Sequence, residues 1–195
     1  MAMILCLSST RQKMGKGTPF NKLKETKPFP LSLKQCRSKD GGLFEYVERT
    51  IGGAGLQRGK RIAESCSQNL MWLTDPQASG FQTIRSALDA LFGAHNAASE
   101  RSTAAIIRRH LHGLGPKQSR NFLQEFGLLR HEILLDAKVT KWMRANLVPS
   151  GMELPLSQSV LGDETYYSLI VDKIQVACRK ANVRPADLDA AIFGE

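Results

Sequence analysis

The chain has 195 residues, 42% of them apolar and 23% charged, and its 27 Lys and Arg outnumber its 18 Asp and Glu for a net charge of +9. That length supports one core, or a core divided into two lobes, and the near-average composition excludes a fibrous protein or wholesale disorder. No run approaches the roughly 18 consecutive apolar residues of a membrane-spanning helix. The apolar start at 1–7 has no basic region ahead of it and no small-residue cleavage site behind it, so no secretory signal and no membrane partner are expected.

The charge is uneven along the chain. Residues 1–40 carry nine basic and two acidic side chains, a net of +7, and residues 41–100 carry −1. Residues 101–144 carry nine basic and three acidic side chains, a net of +6, and residues 145–195 carry −3. The first block, with Lys13, Lys16, Lys22, Lys24, Lys27, Lys34, Arg37 and Lys39, is interspersed with Gly15, Gly17, Pro19, Pro28 and Pro30 and shows no helical period. Residues 1–40 therefore read as a flexible basic arm, and 41–195 as the folded domain.

From residue 41 the apolar positions recur with a period of about 3.6, and glycines close the segments. Ile62, Cys66, Leu70 and Leu73 form one stripe, and Phe81, Ile84, Leu88, Leu91 and Phe92 form another that stops at Gly93. A third segment runs from about Ser99 to Gly113. Pro116 opens the next, with Phe122, Leu123 and Phe126 as its buried face, and the segment stops at Gly127. Asp136 precedes Val139, Trp142 and Met143, and a last long helix spans about 165–181. No alternating run suits a sheet. The fold class is all-α, in two small helical lobes.

The four cysteines, Cys6, Cys36, Cys66 and Cys178, lie 30, 30 and 112 positions apart, which fits no zinc or iron–sulfur spacing. They read as reduced thiols in a cytoplasmic protein. His95, His110, His112 and His131 lack companions in ligand spacing, so no metal and no cofactor is expected. Trp72 and Trp142 each lie on an apolar stripe and read as core.

The stretch 112–123, His-Gly-Leu-Gly-Pro-Lys-Gln-Ser-Arg-Asn-Phe-Leu, carries the most chemistry. Gly113 and Gly115 flank Leu114 in a helix-to-helix turn, the pattern of a helix-hairpin-helix. Leu114 plugs the core, and the backbone N–H groups around Gly113, Leu114 and Gly115 suit a DNA phosphate. The bare pattern also fits an ordinary helical turn capped by glycine. Pro116 suits the first helical position, which puts Lys117 in the first turn. A cation there opposes the helix dipole at a cost of roughly 0.3 to 1 kcal/mol. A lysine that is to act as a nucleophile must be neutral, and one that only contacts a phosphate need not be. Asp136, nineteen residues on, opens the next helix. It reads as an N-cap and, held rigid and ionised, as a group that stabilises a cationic sugar. Arg108, Arg109, Arg120, Arg130, Lys138, Lys141 and Arg144 surround the hairpin in sequence and are candidate phosphate contacts.

From Gly113 to Met143 these residues resemble the helix-hairpin-helix DNA glycosylase superfamily. The match is closer to compact prokaryotic 8-oxoguanine DNA glycosylase/AP lyases, whose hairpin continues Lys-x-(Ala/Ser)-x-x-Phe-Leu as 117–123 does. The stretch 183–189 is similar to the short helix that ends those enzymes. The resemblance implies a base-excision DNA repair enzyme acting on double-stranded DNA with a damaged base, with hairpin and Asp136 meeting at a cleft between lobes. Lys117 would attack the sugar C1′ and form a Schiff base, and Asp136 would promote base loss. The hairpin amides would grip a phosphate, with Arg120 and Lys138 as further DNA contacts and Phe193 as a stacking surface in the base pocket. The chain ends Ala-Ile-Phe-Gly-Glu, without the aromatic pair or terminal lysine of many such enzymes. Position 138 holds Lys where the family has His. The related endonuclease III class, which acts on oxidised pyrimidines, carries a four-cysteine cluster near its C-terminus, where only Cys178 stands here. The alternative from another class is a non-catalytic helix-hairpin-helix DNA-binding module.

Overall fold

The computed structural model describes residues 1–9, 15–39, 42–57, 59–147 and 154–194, and Lys13 of the first basic block lies outside them. Every described element is helical, so the all-α expectation holds. The chain divides into two compact units, Met1–Ala87 with Arg109–Leu114, and Leu88–Arg108 with Gly115–Glu195.

The first unit opens with α1 (Ala2–Ser8), α2 (Pro19–Glu25) and α3 (Leu33–Arg37). The described part of 1–40 is thus helical and packed, a departure from the basic arm read in the sequence. Met3, Ile4, Leu5, Cys6 and Leu7 are all buried, as are Phe20, Leu23, Leu31 and Cys36. Thr18 and Ser32 supply the N-caps of α2 and α3, their hydroxyls accepting from the Asn21 and Gln35 amides. The lysines among these anchors sit on the solvent side: Lys16, Lys22, Lys24, Lys27 and Lys34 are exposed. After α4 (Leu43–Gly53) comes α5 (Gly59–Thr74), the two packed against each other, with α1 also against α5. On α5, Ile62, Cys66 and Leu70 are buried as the stripe predicts.

The boundary between the units falls within α6 (Gly80–Gly93) and α7 (Ala97–His110). On α6, Ile84 and Leu91 are buried, but Phe81 is half exposed and Phe92 is 75% exposed. The 3.6-residue period located the stripe correctly and overstated its width.

In the second unit α8 (Pro116–Glu125), α9 (Ala137–Asn146), a 3-10 turn (Val160–Gly162), α10 (Glu164–Ala181) and α11 (Pro185–Gly194) follow. Ile133, Leu135, Val139, Met143, Leu161, Tyr167, Ile170, Val171, Ile174, Cys178 and Ile192 form its core, with Trp142 packed partly against it. Phe122 and Leu123 are buried, whereas Phe126, expected beside them, is half exposed and tilts against Phe122 at 5.2 Å between ring centroids. Asn182 ends α10 in the left-handed conformation, with φ 55°, and Arg184 pairs with Asp187 in the first turn of α11. No helix among the described residues is long and apolar enough to cross a membrane.

Candidate active site

Two residues hold the start of the 112–123 stretch in the first unit. Asn69, wholly buried on α5, donates from Nδ2 to the His112 carbonyl at 3.0 Å and accepts the His112 amide at 2.7 Å. Trp72 stacks on His110 at 5.3 Å, nearly parallel. Gly113 follows with φ +80°, and a Cβ there would lie 2.8 Å from both Leu7 Cδ2 and Ser65 Oγ. Only glycine fits this position without a shift. Leu114 is buried as expected, and its amide donates to the Leu111 carbonyl at 3.4 Å, so that N–H is engaged within the turn. The Gly113 amide has no acceptor among the described residues.

In the second unit Gly115 is the N-cap of α8, with φ −82° and open space where a Cβ would stand. Its glycine is not demanded by the fold. Pro116 is the first helical residue, as its fixed φ and missing N–H predict. Lys117 comes next, half-buried, and its side chain makes no hydrogen bond or ion pair among the described residues.

Arg120 corrects the sequence reading. It is wholly buried, and each part of its guanidinium is engaged. Nε donates to Glu132 Oε2 at 2.7 Å, Nη1 to the Pro116 carbonyl at 2.9 Å, and Nη2 to Glu164 Oε1 at 2.8 Å. The guanidinium also lies 4.5 Å from the Tyr167 ring centroid. Burial opposes the charge, but the Glu164 hydrogen bond and Glu132 outweigh it and hold Arg120 above its ordinary pKa. With no donor facing solvent, Arg120 is a structural ion rather than a DNA contact. Glu132, equally buried, is shared with Arg101 at 2.8 Å, and Arg101 reaches Asp172 at 2.7 Å.

This network leads to Asp136. The wholly buried Glu100 accepts the backbone amides of Arg130, His131 and Glu132 and takes His95 Nε2 at 2.7 Å. Gln175 Nε2 donates to the His131 carbonyl at 2.7 Å. The Tyr167 hydroxyl donates to the Ile133 carbonyl at 3.1 Å and accepts the Leu135 amide at 2.9 Å. Burial pushes the Tyr167 hydroxyl pKa well up, which keeps it a donor. Three side chains distant in sequence, Glu100, Gln175 and Tyr167, thus fix the backbone of 130–135 without regular secondary structure. Asp136 then caps α9, Oδ1 accepting the Val139 amide at 2.9 Å, as the sequence predicts.

Asp189 on α11 is the residue that sequence reasoning missed. It is 4% exposed; Oδ2 accepts from Gln124 Nε2 at 3.0 Å, and Oδ1 is buried with no hydrogen-bond partner among the described residues. Burial raises its pKa, the Gln124 hydrogen bond opposes the rise, Asp136 adds to it and Lys117 lowers it. Lys117 and Asp136, from the heads of α8 and α9, thus act on one buried carboxyl. The available signal was an acid three residues short of the buried Ile192 in an apolar helix.

Lys138 and Phe193, expected on the DNA, contact each other. Lys138 Nζ donates to the Phe193 carbonyl at 3.2 Å and sits 4.8 Å from the centroid of its half-exposed ring. Arg108 pairs loosely with Glu164, while Arg130, Lys141 and Arg144 of the second unit are exposed. No three His, Cys, Asp or Glu side chains are grouped as metal ligands among the described residues. No protein-family model, curated protein or solved structure matches the chain.

Proposed function

We propose that the chain is a bifunctional DNA glycosylase/AP lyase of base-excision repair, with 8-oxoguanine in double-stranded DNA as its lesion. The observation that carries the reading is that Lys117 stands half-buried in the first turn of α8, directly after Gly113-Leu114-Gly115 in the chain, and that Asp136 is fixed as the cap of α9. A lysine whose side chain has no hydrogen bond or ion pair among the described residues and a rigidly capped aspartate are the two groups that amine-based glycosidic cleavage requires.

The damaged nucleotide leaves the duplex stack. The Lys117 amine bonds to C1′ while the C1′–N bond breaks, and the base departs with the glycosidic electron pair and gains a proton. Asp136, held as the cap of α9, stabilises positive charge on the sugar as that bond opens. The adduct opens to an iminium, which acidifies the C2′ proton. Loss of that proton expels the 3′ phosphate by β-elimination, and water then releases the sugar remnant and restores Lys117. Exposed Arg130, Lys141 and Arg144 supply salt-sensitive phosphate contacts. The enzyme works on DNA in the cytoplasm.

The test is a strand-nicking and base-release assay on duplexes carrying one 8-oxoguanine opposite C, one dihydrouracil, or no lesion. Release of 8-oxoguanine with a matching nick supports the reading. Nicking mainly at dihydrouracil keeps the lyase and replaces the lesion. Salt-sensitive binding with no cleavage anywhere moves the chain to the DNA-binding-module reading.

A further inference from the structure

The net positive charge of the chain belongs to one unit. The first unit holds 15 Lys and Arg against 6 Asp and Glu, the whole net charge of +9, while the second holds 12 of each and is neutral. In the second unit Arg101, Arg120 and Arg184 are tied to carboxylates. In the first, Lys22, Lys24, Lys27, Lys34 and Arg37 are exposed, and their side chains make no ion pair among the described residues. Free cations gathered in one unit point to a polyanion as its partner, because each phosphate they neutralise releases a counterion.

Part of this charge borders a cavity of about 830 Å³ that lies wholly within the first unit, lined by the last turn of α3, the first turn of α4 and the last turn of α5. Small-molecule sites run to roughly 300–1,000 Å³, so its size suits a ligand. The wall carries three chemistries. Phe44, Met71 and Trp72 are apolar, and Phe44 and Met71 are exposed. The indole is held in place, since it stacks on His110 and a Cβ at Gly80 would stand 2.7 Å from its Cδ2. Arg37 and Lys39 bring two cations, with Lys34 one turn before Arg37 on the same side of α3. Lys39 Nζ rests 5.0 Å from the centroid of Tyr46, whose hydroxyl donates to the Pro30 carbonyl at 2.6 Å. Glu45 and Asp75 bring two carboxylates. Asp75 Oδ1 accepts the Gln77 amide at 2.8 Å, which orients the group and leaves Oδ2 without a hydrogen bond among the described residues.

An acyl chain or a bare phosphate matches one of these chemistries and leaves the carboxylates facing it. A nucleotide matches all three: its ring stacks on aromatic and thioether groups, its N–H groups donate to carboxylates, and its phosphate pairs with cations. We propose that this cavity takes an unpaired base of a single-stranded nucleic acid, with the adjoining phosphates on Lys34, Arg37 and Lys39. The base stacks against Phe44, Met71 and Trp72, and its N–H edge donates to Glu45 and Asp75. A strand rather than a free nucleotide is the occupant, because the exposed cations of the first unit exceed what one phosphate uses. The site shares no residue with the proposed cleavage reaction and stands whether or not that reaction occurs.

The experiment is photo-cross-linking of the whole wild-type protein to a short DNA strand carrying one bromodeoxyuridine, mapped by peptide mass. Cross-links are expected at Phe44, Met71 or Trp72, and cross-links confined to the second unit overturn the proposal. By fluorescence anisotropy, Phe44→Ala, at an exposed position, is expected to weaken binding of the strand roughly tenfold, the share of one stacked base. Arg37→Ala is expected to lower the slope of log affinity against log salt by about 0.7, the share of one single-strand phosphate, with exposed Lys180→Ala changing neither affinity nor slope. A fully abasic strand of the same length keeps the phosphates and is expected to bind more weakly. Equal binding of that strand means a plain electrostatic face and overturns the role of the cavity. A mononucleotide or a zwitterionic aromatic amino acid that occupies the cavity as tightly as the strand overturns the strand as its occupant. Protein that forms no borohydride-trapped adduct loses the lyase reading alone, because the cross-link map and the abasic comparison still decide this site.

Discussion

Arg120 and Glu132 meet at 2.7 Å with both side chains wholly buried, and the pair joins α8 to the irregular segment that delivers Asp136. Removing one member leaves the other charged and unpaired inside the second unit. Arg120→Leu or Glu132→Leu is therefore expected to cost about 3–5 kcal/mol, read by urea unfolding. The double variant is expected to cost less than the sum of the two. A DNA-contact role would instead lower DNA affinity and leave stability untouched.

The two hairpin glycines are expected to separate. Gly113→Ala forces a side chain into a left-handed position and against Leu7 and Ser65, so its melting temperature should fall. At Gly115 the backbone is extended and the space open, so Gly115→Ala should leave stability within about 0.5 kcal/mol of the parent. If that open space admits a phosphate, Gly115→Ala still weakens binding to a DNA duplex, measured by fluorescence anisotropy. Unchanged affinity there contradicts a phosphate at the head of α8.

Asp189 gives a pH signature. Its folded pKa lies above the unfolded value because of burial, so the folded state keeps a proton that the unfolded chain has released. The stability this proton confers is fully present below the unfolded carboxylate range, about pH 4, and is lost as pH rises through the folded pKa. Asp189→Asn has no such loss. Melting curves of both proteins between about pH 4 and 7 should show the difference moving in favour of the Asn variant as pH rises. Movement in the opposite direction would mean that the carboxylate is the stabilised form.

All four cysteines are buried, and burial, with Cys36 adding, pushes the Cys66 thiol up to about 12. Since the thiolate is the reactive form, an aromatic disulfide reagent near pH 8 should label none of them quickly in the native protein and all four after unfolding. Fast labelling of one cysteine in the native state would contradict its burial.

Local signals were the legible ones. Pro116 at the first position of α8 and Asp136 as the cap of α9 were read correctly, since a cap depends on its own residue and the next three. The long helix read at about 165–181 appears as α10 over Glu164–Ala181. The illegible features depend on partners far along the chain. Arg120 read as a free cation because Glu132 and Glu164, which enclose it, lie 12 and 44 residues away. Phe92 lies within an apolar stripe, yet the periodicity says nothing of whether a neighbour covers it. In 1–40 the lysines masked Phe20, Leu23, Leu31 and Cys36, whose irregular spacing gives no period while each is buried. Asp189 was invisible for the same reason as Arg120, since Gln124 lies 65 positions before it.

The most direct measurement is borohydride trapping of the whole protein on a duplex with one 8-oxoguanine opposite C, alongside Lys117→Gln and Asp136→Asn. A covalent adduct with the wild type, absent with Lys117→Gln and strongly reduced with Asp136→Asn, is the predicted result. An adduct that persists in Lys117→Gln would contradict the assignment of the reacting amine, and salt-sensitive DNA binding without any adduct would contradict the lyase itself.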